Sequence, residues 1–513
     1  MAKPLDALTV SIPVLSRKGS VNPTIEGLAY DSRLISKNYL FFAFQGLHTD
    51  GHAYIDAAIQ KGAVAIIHDK ELATQNPEIS YIKVPDARLA MSQVADDFFD
   101  HPSDSLYVIG VTGTEGKSTT VYLIYQLLKL AGFKAGFFST VMSDSGSGEA
   151  PNPEHQTTPE AIAVHQYLAS MRDAGCSFAV VESSSHGLSA RTGRLANVHF
   201  DCGIMMNVTH EHLEFHGTWE QYRSDKANLF RNLDTHCHSK QVAGLETPLP
   251  SFGIVNADDP SASYFTACTQ KPVYSFSLNT NSATVHASNL VPDERGCSFI
   301  LNDQEGKHHP ARINLPGTFN VMNAMAALLA VSKTTGLACR DLIPLLSQLK
   351  PVRGRMMRIS RGQPFEVVID YAHTPSSFET VLAPLRKQYA GRIICLFGSA
   401  GERDTAKRPL QGSIAEKYCD ILVLTDEDPR GEDSMRILEE IAEGCKHKIG
   451  NTDLFLIPDR PAAIRHAFSL AKPGDLVLLL GKGHENSIIY HDRVMPYDEE
   501  KEALQALSEL GFN

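Results

Sequence analysis

Short runs of β-forming apolar residues recur along the chain, and most end in glycine or in a polar cluster. "LFFAFQG" and "AVAIIHD" lie near the start; "LYVIGVTG", "FAVVESSS" and "FDCGIMMNV" lie in the middle. "FEVVIDYAHTP", "RIICLFGS", "CDILVLTDEDPRG" and "DLVLLLGKGHE" follow toward the C-terminus. Between them, apolar positions recur at helical spacing, most clearly from Lys117 to about Leu130. Strand and helix patterns in alternation predict parallel α/β sheets with the polar strand ends gathered along one edge. "HPSDSLY" and "LKPVRGRM" interrupt the alternation and divide the chain into blocks 1–104, 105–350 and 351–513. The middle block also holds a strand-rich stretch near 285–315, then a loop entering a helix at "PGTFNVMNAMAALLAVS".

The strand "LYVIGVTG" runs straight into "TEGKSTT". A glycine turn, a lysine and hydroxyl residues at the start of a helix make a phosphate cradle. Backbone N–H groups face the anion, Lys117 adds charge, and Ser118 or Thr119 reaches its Mg²⁺. Gly113, Thr114, Glu115 and Gly116 form the turn itself. Gly113 and Gly116 enclose only two residues, fewer than in the full G-x-x-x-x-G-K-[ST] pattern.

With 513 residues, 43% hydrophobic and 21% charged, the chain has a soluble globular composition and the length of several domains. A net charge of −12 argues against a general nucleic-acid or anionic-membrane surface. No apolar run reaches membrane-spanning length, and the N-terminus lacks a signal-peptide core. Nine cysteines with no C-x-x-C pair suit reduced thiols, so a cytoplasmic protein is expected.

Other clusters are less specific alone. "VVESSSHGLSARTGR" has a serine run and His186 but no G-x-S-x-G elbow, which disfavours a hydrolase triad. Glu182, at the strand end, suits Mg²⁺, and the arginines suit an anionic substrate. "NVTHEHLEFHG" gathers His210, His212 and His216 without H-E-x-x-H spacing, so nucleotide or Mg²⁺ contact is preferred to zinc. Lys226 in "YRSDKANLF", taken alone, has the character of a solvated lysine. Asn320 and Asn323 share one helix face and could cap the helix or meet a nucleotide. Arg355 in "GRM" could bind phosphate, and Asp370 in "DYAHTP" follows a strand.

These segments, with "TTPE", "GERDTAKRP", "DPRGED" and "GKGHE", occur in the order found in the Mur ligases, and the chain most resembles the tripeptide-synthetase (MurE-type) branch. The resemblance spans nearly the whole chain. It implies three domains: an N-terminal UDP-sugar domain, a central P-loop ATPase-like parallel sheet and a C-terminal Rossmann-like amino-acid domain. It implies an ATP-dependent acid–amino-acid ligase that adds a diamino acid to UDP-N-acetylmuramoyl-L-alanyl-D-glutamate through an acyl phosphate, in peptidoglycan precursor synthesis. A monomer with Mg²⁺ as cofactor is the family pattern.

By match to the family motifs, Lys117 holds phosphates, while Glu182, His212 and Lys226 line metal sites with Ser118 or Thr119. The resemblance makes Lys226 a carbamate, an oxygen-bearing anion. Asn320, Asn323, Arg355 and Asp370 contact ATP; Ser32, Thr157, Thr158, Ser184 and Arg194 hold the UDP-sugar dipeptide. Arg403, Glu427, Asp428, Pro429, Arg430, Gly481 and Glu485 receive the amino acid.

Members that add meso-diaminopimelate usually read D-N-P-R where this chain reads Glu427-Asp428-Pro429-Arg430. Glu427 keeps the charge of Asp, whereas Asp428 adds one, and an added carboxylate should attract a terminal ammonium and repel a second carboxylate. Lysine or ornithine is therefore expected, with meso-diaminopimelate the alternative. A folate-type glutamate ligase and a non-catalytic ATP-binding module are the other readings. The N-terminal block and "GERDTAKRP" count against the first, and a second substrate site counts against the second.

Overall fold

The computed structural model describes residues 2–512 except 20, 47–48, 153–155, 210–212, 236–239, 243–244, 246–247, 294 and 305. It divides into two compact units. The first comprises Met1–His286, Asp303–Glu305 and Met325–Leu342; the second comprises Ala287–Asn302, Gly306–Ala324 and Ile343–Asn513.

In the first unit, an N-terminal sheet contains β1 (Ser16–Lys18), β2 (Gly27–Ala29), β3 (Tyr39–Ala43), β4 (Ala63–His68) and β5 (Ser80–Lys83), in the order β1-β5-β4-β3-β2. Helix α1 (Ala87–Phe98) covers it, and Asp86 caps the helix by accepting from the N–H groups of Arg88 and Leu89. A second sheet is built on the parallel strands β6 (Tyr107–Thr112), β7 (Ala135–Phe138), β10 (Phe178–Glu182), β11 (Cys202–Met205), β12 (Phe252–Asn256) and β13 (Val273–Ser277). A short antiparallel edge adds β8 (Met142–Asp144) and β9 (Ala150–Pro151), for the order β9-β8-β7-β10-β6-β11-β12-β13. Its central strands are buried throughout, as their unbroken apolar runs require. Helices α2 (Lys117–Leu130), α3 (Ala161–Asp173), α4 (Ser185–Leu188) and α5 (Trp219–Asn232) follow the strand ends.

The strand-rich stretch expected near 285–315 is β14 (Val285–Asp293), β15 (Gly296–Asp303) and β16 (His308–Ile313), and α6 (Phe319–Thr335) is the helix after it. In the second unit, β17 (Met357–Ile359), β18 (Glu366–Asp370), β19 (Ile393–Phe397), β20 (Ile421–Leu424), β21 (Leu454–Leu456) and β22 (Leu476–Leu480) order as β17-β18-β22-β19-β20-β21. All pairs but β17–β18 are parallel.

Alternate strand residues face opposite cores. Val368, Cys395, Leu422 and Leu478 pack with α7 (Pro375–Gln388), α8 (Lys407–Tyr418) and α9 (Ser434–Ala442). Val367, Ile394, Val423 and Val477 pack with α10 (Arg460–Leu470) and α11 (Glu499–Glu509). This is the doubly wound arrangement that the strand–helix alternation predicts. Among the described residues no single helix is long and apolar enough to cross a membrane, and none of the described cysteines is in a disulfide.

Candidate active site

The first unit collects its polar groups at the carboxyl ends of β6 and β10, which are neighbours in the sheet. Gly116 has φ +82°, a conformation open to glycine, and so turns the chain into α2. Asn207 fixes the turn: its Oδ1 accepts from the N–H groups of Thr114 at 3.0 Å and Glu115 at 2.8 Å. Lys117 Nζ folds back to the Thr114 carbonyl at 2.8 Å. Ser118 Oγ donates to Glu182 Oε1 at 2.9 Å, and Thr140 N–H donates to Glu182 Oε2 at 2.7 Å. Ser118 and Glu182 are both buried, whereas Thr119 is half-buried on the same helical turn.

Lys226 does not behave as the surface lysine its sequence context alone suggests. It is 1% exposed, donates to the Gly113 carbonyl at 2.6 Å and lies over the Tyr222 ring at 4.4 Å. The reason is α5, whose inner face carries Tyr222, Lys226, Leu229 and Phe230 into the core. Tyr222 OH meets Thr114 Oγ1 at 3.0 Å, so this helix face is tied to the glycine turn twice.

A second group forms beside it. Thr158 Oγ1 donates to the Glu182 carbonyl at 3.0 Å and meets Ser184 Oγ at 2.9 Å. Ser184 caps α4 by accepting from Gly187 N–H. Arg194 donates to the Thr158 carbonyl at 3.0 Å and to Glu160 at 2.8 Å. Thr157 is half-buried next to Thr158, and Ser32 opens the turn Ser32–Leu34 after β2, capped by Asp31. His212 lies outside the described residues, as do His210 and Glu211. His216, which the sequence grouped with them for nucleotide or Mg²⁺ contact, is held between Asp225 Oδ2 at 2.7 Å and Ser185 Oγ at 3.1 Å, all three buried.

In the second unit, Asn320 and Asn323 are buried and bonded to each other at 3.0 Å, and Asn320 also donates to the Pro316 carbonyl. Asp370, at the end of β18, accepts from the N–H groups of Met356 and Ala372, each at 2.8 Å. Burial pushes its carboxyl above the ordinary carboxylate range, against Arg355 and these amides. Arg355 lies over the Tyr371 ring at 4.5 Å, with its buried Nε unpartnered.

The segment Glu427–Arg430 follows β20. Glu427 is buried with Oε2 unpartnered, and a Cβ placed on Gly481 would lie 3.3 Å from that oxygen. Burial raises its carboxyl, opposed by Lys407 and Lys482. Arg430 takes a left-handed φ of +55° and has a buried, unpartnered Nε. Pro429 accepts from Glu432 N–H at 3.0 Å, and Arg403 stands exposed on the loop before α8.

Asp428 is not the free charge that the sequence suggests. Its Oδ1 accepts from Lys482 Nζ at 2.8 Å and from Ile489 N–H at 3.0 Å. Lys482 also meets Glu485 Oε2 at 2.5 Å, and Tyr371 OH donates to Glu485 Oε1 at 3.0 Å. Lys482 and Tyr371 are thus functional neighbours that the sequence left unmarked, although both sit inside quoted motifs.

Comparison with known proteins identifies the family. Family models match in three segments: "Mur ligase family, catalytic domain" over 24–99, "Mur ligase middle domain" over 111–331 and "Mur ligase, glutamate ligase domain" over 354–483. The chain is 51% identical to a UDP-N-acetylmuramyl-tripeptide synthetase of Treponema denticola, covering 97% of this chain and 96% of that protein. It is 36% identical to a UDP-N-acetylmuramoyl-L-alanyl-D-glutamate–2,6-diaminopimelate ligase of Geobacillus thermodenitrificans, covering 95% and 96%. A solved structure of a UDP-N-acetylmuramoyl-L-alanyl-D-glutamate–2,6-diaminopimelate ligase superposes with a TM-score of 0.65 at 28% identity over all of both chains. The chain belongs to the Mur ligase family, as an ATP-dependent ligase of its tripeptide-synthetase type.

Proposed function

We propose that the chain joins a diamino acid, lysine or ornithine in preference to meso-diaminopimelate, to UDP-N-acetylmuramoyl-L-alanyl-D-glutamate with ATP and Mg²⁺. The observation that supports it most is the cluster at the end of β6 and β10. Ser118 is bonded to Glu182, and Lys226 is buried against the Gly113 carbonyl. A hydroxyl and a carboxylate are the all-oxygen donors that suit Mg²⁺. When bound, Mg²⁺ supplies charge neutralisation at the phosphates. Glu182, Ser118 or Thr119, His212 and a carbamoylated Lys226 are the residues assigned to it.

A carboxylate does not acylate an amine at a useful rate, so the D-glutamate carboxylate first takes the γ-phosphoryl group of ATP, releasing ADP. The deprotonated amine then attacks the acyl carbon, and phosphate leaves. The protein's part is positioning and charge stabilisation rather than covalent catalysis. Gly113–Thr119 cradle the phosphates, and Asn320, Asn323, Arg355 and Asp370 are assigned to the nucleotide. Ser32, Thr157, Thr158, Ser184 and Arg194 are assigned to the UDP-sugar dipeptide. Arg403, Arg430, Glu427, Pro429, Gly481 and Glu485 are assigned to the amino acid, with Glu427's unpartnered oxygen as an acceptor for its ammonium. The domains assigned to these tasks are 1–104, 105–350 and 351–513, in a cytoplasmic monomer.

Phosphate release that requires both the UDP-sugar dipeptide and a diamino acid tests this. Lys117→Ala should abolish it with the fold retained on circular dichroism, and near-normal turnover in the folded variant would contradict the phosphate assignment.

A further inference from the structure

Three charges are paired in succession in the second unit: Asp428, Lys482 and Glu485. Lys482 is fully buried between the two carboxylates, so one cation serves two anions and the group carries a net charge of −1. The ends differ. Asp428 is buried, and its Oδ1 already accepts both from Lys482 and from Ile489 N–H. The Glu485 side chain is 31% exposed. The charge that Lys482 leaves uncancelled is therefore felt from solvent and substrate at Glu485 rather than at Asp428. With a neutral side chain at 428, the same lysine would be free to cancel Glu485.

We infer that Lys482 is a specificity-determining residue, which transmits the charge of Asp428 to Glu485, so that Asp428 selects the amino acid without touching it. This rests on the reading above that Glu485 and its neighbours receive the diamino acid. Glu427 offers the contrast. Its Oε2 is unpartnered above Gly481 and can meet an ammonium directly, whereas Asp428 acts through the lysine.

The test is a double-mutant cycle on the full chain, with lysine, ornithine and meso-diaminopimelate in competition. Asp428→Asn should lower the preference for lysine and ornithine over meso-diaminopimelate by about five-fold or more. The change should appear in KM for the amino acid, with KM for ATP unmoved. In a Lys482→Met background the same substitution should move the preference by less than about two-fold, because the cation that links Asp428 to Glu485 is gone. Equal shifts in both backgrounds would mean direct contact by Asp428 and overturn the inference. So would an Asp428→Asn variant with unchanged preference, whether or not Lys482→Met folds. A wild-type enzyme that joins none of the three amino acids would sink the substrate reading and this inference together. A working enzyme with a silent Asp428→Asn sinks the inference alone.

Discussion

Glu182→Gln separates a metal-holding role from a structural one at the centre of the site. The carboxylate is 1% exposed and accepts two hydrogen bonds, from Ser118 Oγ at 2.9 Å and Thr140 N–H at 2.7 Å. Glutamine has the same shape. Its carbonyl must face Thr140, which can only donate, and its NH₂ then faces Ser118, whose hydroxyl can turn to accept. Both bonds survive. Bonds to a charged group are worth about 1.5–3 kcal/mol each against roughly 0.5–1.5 for neutral ones. Their weakening is opposed by relief from burying a charge. The net stability change should be about 1 kcal/mol or less, a shift of only a few degrees in melting temperature. The Mg²⁺ requirement should change far more. Losing a carboxylate that ligates the ion or orients its ligands costs about 10- to 100-fold in metal affinity. ADP formation titrated with Mg²⁺ reads this directly, and Mn²⁺ binding in the presence of ADP, followed by EPR, reads it without turnover. A folded Glu182→Gln enzyme with a wild-type Mg²⁺ curve and wild-type Mn²⁺ binding would refute the assignment.

Lys226→Ala should lose most activity and recover part of it with added small carboxylates, as expected if a carbamate supplies oxygens there; a fully active variant would contradict the modification. Glu499→Gln should destabilise the second unit by about 3–5 kcal/mol, because Arg460 and Glu499 are a fully buried pair and the guanidinium would lose its counter-charge; calorimetry showing less than about 1 kcal/mol would contradict this. Burial pushes the Asp201 carboxyl up to about 6 from 3.8, although Lys240 lies 2.7 Å away. The folded state then holds a proton that the unfolded state has lost, so this group's contribution to stability falls as pH rises from about 4 to about 6. Subtracting the pH–stability curve of Asp201→Asn from that of wild type should leave that downward slope, and a flat difference would contradict it.

The elements were largely legible in the sequence. The helix expected from Lys117 to about Leu130 is α2, Lys117–Leu130, and the apolar runs are parallel strands of three sheets. Periodicity and glycine record local geometry, and α2 begins where Gly116 takes its left-handed turn. The blocks 1–104, 105–350 and 351–513 rest on the sequence pattern. Contacts group the structure into two compact units, with part of the stretch after residue 286 belonging to the second. Composition at a proline-containing junction reports where the pattern of elements changes. It does not report how closely the neighbouring segments pack.

What the sequence could not carry is the partner of a polar side chain when that partner is far along the chain. Lys226 reads as a solvated lysine because its helix alone supplies no reason to bury a charge. The reason is a carbonyl 113 residues earlier. His216 is held by Ser185, 31 residues away, and Lys482 by Asp428, 54 residues away. In each case a motif residue was visible while the group that sets its charge or orientation was not. The consequence is largest at Asp428. Counted along the sequence, its carboxylate is one added negative charge in the amino-acid site. In the fold it is bonded to a buried cation, and the excess charge lies with the more exposed Glu485. On the inference drawn above, the same net charge acts at another atom, and substrate choice follows that atom. Two chains with identical residues at 427–430 could differ in preference if one lacked the lysine at 482.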